Sequence, residues 1–228
     1  MQQLDSHQYL GVRDDIAARI AAGEFKPGER LPSERQLQAG GGVARGTVRE
    51  ALFQLEAEGL VRILPHRGAM VAPLSPADAA EALELRGALE PRLLALSAPR
   101  LTADDFARAD ALLEEYAAAL RAGATARWGA LNTELHLLLY SRAERPRALG
   151  LVGSLLAECD RYTRLQLSTD GAELERADRE HREIVRLCRH GHVSAACALL
   201  TDHIDHVAAA LMAFLGAAPG PARETGIV

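Results

Sequence analysis

The first third of the chain alternates short amphipathic segments with glycine and proline. In the opening segment, five apolar residues recur at helical spacing: Leu10, Val12, Ile16, Ala17 and Ile20. This period predicts a helix over residues 9–22, which the glycine- and proline-containing stretch 23–28 ends. Ser33 and Gln36 have the spacing of a capping box. A second helix is therefore predicted to begin at Ser33 and to end at the glycine run 40–42.

A third helix and a hairpin follow that glycine run. Apolar residues at helical spacing form the inward face of a helix predicted in the stretch 45–59, where Gly59 follows the last helical residue. Two short β-branched runs, 60–64 and 69–72, predict a β-hairpin. Two helices joined by a tight turn and followed by a hairpin form a winged helix-turn-helix, whose second helix enters the DNA major groove. The pattern therefore predicts a DNA-binding unit.

Beyond the breaker-rich hinge 73–76, helical periods follow one another. Six helices are predicted, over residues 76–98, 102–123, 125–142, 146–169, 171–190 and 193–216. The predicted fold is mainly α, with a winged helix-turn-helix domain at 1–74 and an all-helical bundle of about six to seven helices at 75–216. The Pro/Gly-rich tail 217–228 is predicted to be disordered.

Composition and charge narrow the class of protein. Hydrophobic residues make up 48% of the 228 residues and aromatic residues 4%, which favours helices built from Ala and Leu. The net charge of −5 does not by itself suggest nucleic acid. Cys159, Cys188 and Cys197 form no CxxC pair and are expected to be reduced. With no signal peptide and no uncharged run of about 20 residues, we expect a cytoplasmic protein with no membrane partner.

The predicted recognition helix carries side chains suited to DNA. Arg45 and Arg49 lie one turn apart, and a guanidinium group can bind guanine bidentately or clamp a phosphate. Thr47 can reach a phosphate or a thymine methyl group. Arg35, on the preceding helix, is placed for a backbone contact. Charged helical faces are usually only solvated, but the preceding helix and the hairpin in the correct order favour DNA contact here.

The stretch 9–73 resembles the N-terminal domain of GntR-family transcriptional regulators. The resemblance rests on FKPGERLPSERQL, VARGTVREALFQLEAEGLV and PHRGAMV. It implies that the protein binds double-stranded DNA, at a palindromic operator if it is a homodimer. By position, the family's DNA contacts fall on seven residues: Arg35, Arg45, Gly46, Thr47, Arg49, His66 and Gly68.

Histidines in the helical half suggest a metal site. Asn132 lies four residues before His136, so both side chains share one helical face. His181 and His203 fall on consecutive helices, whose antiparallel packing would bring the two imidazoles to similar heights. Three imidazoles and one oxygen ligand suit Zn²⁺ or Ni²⁺. Taken alone this pattern is weak, because a helical histidine is more often a surface or core residue.

Residues 76–216 resemble the all-helical FCD ligand-binding domain of the FadR subfamily of GntR regulators. The matching pieces are ELRGALEP, NTELH, EHREIV and DHI, which begin at Glu84, Asn132, Glu180 and Asp202. The resemblance implies a divalent metal ion whose coordination is completed by a small carboxylate effector. The implied ligands are Asn132, His136, His181 and His203.

Two arginines are candidates for binding the effector. Arg86 is the arginine of the family's ExR pattern and could hold a carboxylate bidentately. An ion pair with Glu84 or Glu90 explains Arg86 about as well. Arg161 is a weaker candidate of the same kind, in a helix that could line the pocket.

The function expected from these patterns is a ligand-responsive, DNA-binding transcriptional regulator, a repressor rather than an enzyme. As a homodimer it would present two recognition helices to its operator. A transcription factor that senses the metal alone, without an organic effector, fits the sequence equally well. A metal-dependent hydrolase is a third and weaker alternative, because no HExxH-type arrangement accompanies the histidines.

Overall fold

The computed structural model describes residues 2–21, 23–41, 43–65, 67–73, 75–122, 125–167 and 171–217. Over these residues the chain is mainly helical and carries one antiparallel hairpin. The helices are α1 (Gln2–Ala21), α2 (Glu34–Gly41), α3 (Arg45–Ala57), α4 (Pro76–Ser97), α5 (Ala103–Arg121), α6 (Thr125–Tyr140), α7 (Pro146–Leu167), α8 (Gly171–Arg189) and α9 (Val193–Ala217). The strands are β1 (Val61–Leu64) and β2 (Gly68–Val71). The predicted mainly α fold is confirmed.

Local capping signals set the ends of the first helices. The hydroxyl of Ser33 accepts a hydrogen bond from Gln36 N at 3.4 Å, and Gln36 Oε1 accepts one from Ser33 N at 2.9 Å. This is the predicted capping box. Helix α2 ends at Gly41, within the predicted glycine run, and includes Gly40 and Gly41. Glycine costs only about 1 kcal/mol in a helix, so a well-capped helix can extend across it. Gly42 lies outside the described residues.

The N-terminal elements share one hydrophobic core. Its buried members are Ile16, Ile20, Phe25, Leu31, Val48, Leu52, Leu55, Leu60, Val61, Ala69 and Val71. The segment before α2 also fixes the hairpin, because Leu31 N donates to Ala69 O at 2.9 Å and Val71 N donates to Glu29 O at 2.8 Å. The hairpin is therefore held against the helices on which the DNA-binding unit depends.

The six C-terminal helices surround a second core. Helix α4 packs against α7 and α9, and α5 packs against α6 and α8. Each of these helices begins and ends within two residues of its predicted bounds. The first core is built from residues before the hinge 73–76, and the second from residues after it. The domain boundary between residues 74 and 75 stays a prediction. Of the predicted tail 217–228, Ala217 is the last residue of α9, and residues 218–228 lie outside the described residues.

Helix α9 is the one described helix that is long and apolar enough to cross a membrane. It packs against α4 and α8 and contributes buried Leu200, Ile204 and Leu211 to the bundle core. Only 22% of its apolar stretch is buried, so the bundle interior accounts for part of its apolar character.

Candidate metal centre and nucleic-acid interface

Helix α3 presents one face to solvent and the other to the core. Arg45, Gly46 and Arg49 lie on the solvent side. Arg45 Nε lies 2.8 Å from Glu34 Oε2, and Arg49 Nε lies 3.8 Å from Glu34 Oε1. The carboxylate at the start of α2 thus brings both guanidinium groups together, while their side chains remain 73% and 58% exposed. This is a positive surface that a phosphate backbone or a base edge could approach.

The other residues predicted to contact DNA differ in their exposure to solvent. Arg35 on α2 and Gly68 at the start of β2 are exposed. Thr47, in contrast, is buried, because it stands one helical turn before buried Ala51 on the inward side of α3. Its burial does not favour the predicted contact with DNA. His66 lies outside the described residues.

Three histidines meet in the interior of the helical bundle. His136 on α6, His181 on α8 and His203 on α9 each offer a ring nitrogen, and these nitrogens lie within 4.8 Å of one another. His136 Nε2 and His181 Nε2 are 3.1 Å apart. The rings of His181 and His203 have centroids 4.6 Å apart, so the predicted antiparallel packing does bring them to one height.

A buried acidic network orients His136. Its Nδ1 lies 2.8 Å from Glu90 Oε2 and 3.0 Å from the hydroxyl of Tyr140, which donates to the same Glu90 oxygen at 2.6 Å. The other oxygen of Glu90 accepts a hydrogen bond from Arg86 Nε at 2.5 Å. Burial opposes ionisation of Glu90, but the charge of Arg86 and the hydrogen bonds with Arg86 and His136 outweigh it and hold the pKa of Glu90 below its usual range. Because Glu90 binds Nδ1 of His136, the other ring nitrogen, Nε2, faces the other histidines.

A second carboxylate plays the same part for His203. Glu180 Oε2 lies 2.7 Å from His203 Nδ1, and Glu180 Oε1 lies 3.0 Å from Nδ1 of the exposed His206. A carboxylate on the outer ring nitrogen fixes the tautomer of a histidine and raises its basicity as a ligand. His136 and His203 therefore both have the support that metal-binding histidines commonly show.

The histidine cluster fits a divalent metal ion. Burial lowers the pKa of His181 well below its usual value, and burial also lowers the pKa of His203 despite the neighbouring Glu180. Neutral imidazoles are the form that binds metal. Two nitrogens bound to one tetrahedral zinc ion stand about 3.3 Å apart, close to the separation of the Nε2 atoms of His136 and His181. The donor set suits zinc or nickel.

A cavity adjoins the histidines. It is small, with a volume of about 50 Å³, several times the space that one water molecule needs. Its walls come from α4 to α9 and include Arg86, Trp128, Asn132, Asp160, Arg176 and His203. Asn132 thus lies on the wall, one turn before His136. Arg161 belongs to α7, but its side chain lies outside what the structure describes.

The structure shows which ion pair Arg86 forms. Its guanidinium group is buried and paired with Glu90, four residues later on α4, whereas Glu84 is exposed. Arg86 also lines the cavity. It therefore holds Glu90 in the charged state and lends positive charge to the cavity wall.

Sequence reasoning missed the three residues that support the histidines. Glu90 and Tyr140 stand four residues after Arg86 and His136, so helical spacing could have pointed to them. Glu180 is adjacent to His181 in the sequence, so helical spacing alone would point it away from the site. It instead reaches the next helix and binds His203, a contact that depends on how α8 and α9 pack.

Two family models match the chain. The model for bacterial regulatory proteins of the gntR family matches residues 8–71, and the model for the FCD domain matches residues 81–206. The HTH-type transcriptional regulator LutR of Bacillus subtilis is 31% identical over 205 residues, covering 82% of this chain and 94% of LutR. The uncharacterized HTH-type transcriptional regulator YdhC of the same organism is 28% identical over 202 residues, covering 87% and 88% of the two chains.

Solved structures share the fold. McbR/YncC of E. coli superposes with a TM-score of 0.80, covering 91% of this chain and 98% of that chain at 22% identity. A GntR regulator from Rhodococcus sp. RHA1 gives a TM-score of 0.77, covering 93% and 100% of the two chains at 23% identity. At these identities the comparison shows a common architecture.

Proposed function

Since the chain belongs to the GntR family of bacterial transcriptional regulators and carries an FCD domain, we propose that it is a cytoplasmic repressor of the FadR subfamily, released from its operator by a small carboxylate. In this proposal the carboxylate is held by a metal ion at His136, His181 and His203, with Asn132 as a fourth ligand. The convergence of the three histidines beside a cavity is the observation that carries the proposal.

The chain's own residues have separate tasks at the proposed site. Glu90 and Glu180 fix the tautomers of His136 and His203, and burial keeps the imidazoles of His181 and His203 neutral. When bound, the metal ion supplies the positive charge that attracts a carboxylate oxygen. Arg86 adds a second positive group on the cavity wall.

The proposed regulation requires two states that bind the effector differently. Effector binding favours the arrangement of helices that accommodates it, and this lowers operator affinity if the winged domains are then wrongly placed for DNA. The effector need not touch DNA. Arg35, Arg45, Gly46, Arg49 and the wing at Gly68 would make the DNA contacts.

An exposed apolar face supports a homodimer. Leu85 and Leu96 on α4 are each 40% exposed, and Leu151 on α7 is 48% exposed. Leu85, Leu89 and Leu96 recur at helical spacing, and Leu89 and Leu96 line a shallow groove with Ala148 of α7. We propose that a second copy of the chain covers this face, which would give the two-fold symmetry that a palindromic operator needs.

The function is tested with full-length protein, metal-loaded or stripped with EDTA. A thermal-shift screen with acetate, butyrate, succinate and citrate should show stabilisation only in the metal-loaded protein. The stabilising acid should then weaken binding to DNA from the protein's own upstream region. If metal alone changes DNA affinity and no acid adds to the change, the protein is a metal sensor.

A variant at the metal site tests metal and effector binding separately from DNA binding. His181→Ala should lose bound metal, measured by elemental analysis, and lose the response to the acid while retaining basal DNA binding. His192→Ala, an exposed histidine outside the cluster, is the matched control. A His181→Ala protein with wild-type metal content would refute the assignment of the site.

A further inference from the structure

One face of the hairpin points away from the N-terminal core. Val61 and its partner Val71 are buried in that core, whereas the next pair along the strands, Arg62 and Met70, points the other way. Arg30 forms an antiparallel bridge with Met70 from the opposite side of β2. Residues paired across neighbouring strands lie on the same face of a sheet. Arg30, Met70 and Arg62 therefore form a row, which we call the outer face of the hairpin.

The two arginines of the outer face carry positive charge that the fold does not neutralise. Arg30 and Arg62 are exposed, and neither side chain has a hydrogen-bond or ion-pair partner in the part of the chain that the structure describes. Glu29, the acidic neighbour of Arg30, has another contact, because its Oε2 accepts a hydrogen bond from Lys26 N at 2.9 Å. Both guanidinium groups are thus available to an external anion.

The charge of the hairpin contrasts with that of the whole chain. The stretch 60–72 contains Arg62 and Arg67 but no aspartate or glutamate, although the net charge of the chain is −5. A local concentration of positive charge attracts an anionic partner. Its unpaired arginines distinguish the outer face from the apolar face of α4, where we propose the second copy of the chain.

The outer face is continuous with the predicted DNA contact at the hairpin turn. The pair of Arg62 and Met70 lies two residues from the pair of Leu64 and Gly68, about 7 Å along the strands. Arg67, in the turn itself, is exposed as well. A turn that approaches a DNA groove brings the adjoining face of its hairpin towards the phosphates that border the groove. DNA is therefore the anionic partner that this position favours.

The spacing of the two arginines suits more than one phosphate. Arg30 and Arg62 lie on either side of β2, and neighbouring strands are about 4.8 Å apart, so their backbones are separated by about 10 Å. Each guanidinium group can then bind a phosphate of its own.

We propose that the outer face of the hairpin binds the phosphate backbone of DNA, with Arg30 and Arg62 each neutralising one phosphate. The inference rests on the proposed function, because that function brings the turn at Gly68 to the operator. Phosphate contacts add affinity and fix the orientation of the protein without reading the sequence. The two arginines therefore strengthen binding to every duplex by a similar factor, and base preference remains with α3.

The salt dependence of DNA binding tests this proposal, because it counts neutralised phosphates. Fluorescence anisotropy of the full-length protein is measured between about 50 and 200 mM NaCl, with one duplex from its upstream region and one of mixed sequence. Each phosphate contact adds about 0.9 to the slope of log affinity against log salt concentration. Arg30→Gln and Arg62→Gln should each lower that slope by about 0.9 on both duplexes. The affinity lost over this fourfold range of salt then becomes about 3.5-fold smaller for each arginine removed.

Two further sets of variants separate charge from structure. Arg30→Lys and Arg62→Lys keep the positive charge, so each should retain most of the wild-type slope. Arg121→Gln removes the same charge from an exposed position at the end of α5 and should leave the slope unchanged. Thermal melting checks that every variant is folded. Arg30 and Arg62 act independently, so one position suffices if variants at the other fail to fold.

The outcomes separate this inference from the function on which it rests. If wild-type protein binds neither duplex, the proposed function fails. If it binds DNA and both glutamine variants keep the wild-type slope, the outer face does not contact DNA, and only this inference is overturned. A slope that falls equally in the lysine variants also overturns it, because the loss then does not depend on the charge.

Discussion

The hydroxyl of Tyr162 accepts a hydrogen bond from the backbone N–H of Ser75 at 3.3 Å. Ser75 caps α4 directly after the hinge, with its Oγ accepting from Asp78 N. Tyr162 lies on α7 between Asp160 and Thr163, both of which line the cavity. One hydrogen bond thus links the helix that borders the proposed effector to the connection leading to the DNA-binding unit.

Removing this hydrogen bond should weaken the coupling between effector and DNA. In Tyr162→Phe, we expect the ratio of operator dissociation constants with and without effector to fall about two- to tenfold, the range of one hydrogen bond. The ratio is measured by fluorescence anisotropy with the acid that gives the largest thermal shift. Effector affinity in the absence of DNA serves as the control and should change little. An unaltered ratio would mean that coupling runs through other contacts.

The exposed arginines of α3 should contribute separately to operator binding. Arg45→Ala and Arg49→Ala should each weaken binding by about 1–3 kcal/mol, because each removes a contact to a base or a phosphate. A gel-shift titration at matched salt measures the effect. Arg121→Ala, at the exposed end of α5, is the control and should bind normally. Wild-type affinity in both α3 variants would contradict the proposed DNA-binding face.

Local signals explain why much of the fold could be predicted. Ser33 with Gln36, and Gly59 with its φ of 69°, act within one turn of the chain, so their effect is visible in the sequence. The end of α2 was also visible, because the helix stops at Gly41, within the predicted glycine run 40–42. Whether Thr47 is buried depends on which side of α3 meets the core. Thr47 lies one helical turn before buried Ala51 and is therefore on the inward side.

The candidate site was predicted less completely. His136, His181 and His203 came from spacing and from the family resemblance, and the structure brings them together. The carboxylates that orient them came from neither source. Glu180 acts on a different helix from its own, and a contact of this kind is set by tertiary packing rather than by any local period.

The buried pair of Arg86 and Glu90 should be important for stability. Glu90→Gln leaves the Arg86 charge without its partner in the interior, so we expect a loss of about 3–5 kcal/mol in the free energy of unfolding. Urea denaturation of the metal-free protein measures the loss. Glu84→Gln changes an exposed carboxylate of the same helix and should stay within about 0.5 kcal/mol of wild type. Equal stability of the two variants would show that the buried pair contributes little.

Asp105 should give the protein part of its sensitivity to acid. Its carboxylate accepts hydrogen bonds from Arg142 and from Thr102, and these hold the pKa of Asp105 below its usual range. A carboxyl group with a lowered pKa in the folded state stabilises the protein above its unfolded pKa, about 3.8, and loses that contribution as the pH falls further. Asp105→Asn should therefore show a shallower fall in stability below about pH 4. An identical pH profile would contradict this assignment.

Glu180 should tune metal affinity without being a ligand. Glu180→Ala removes the carboxylate from His203 Nδ1, so the imidazole loses its fixed tautomer and part of its basicity. We expect zinc affinity to fall about 10- to 100-fold, which is typical for removal of a carboxylate that supports a metal-binding histidine. Competition with a chromophoric chelator measures the affinity. Glu183→Ala is matched in chemistry and helix, but Glu183 is paired with Arg186 on the surface and should bind zinc normally. If Glu180→Ala and Glu183→Ala bind zinc equally well, the carboxylate does not support the metal site, and His203 is positioned by packing alone.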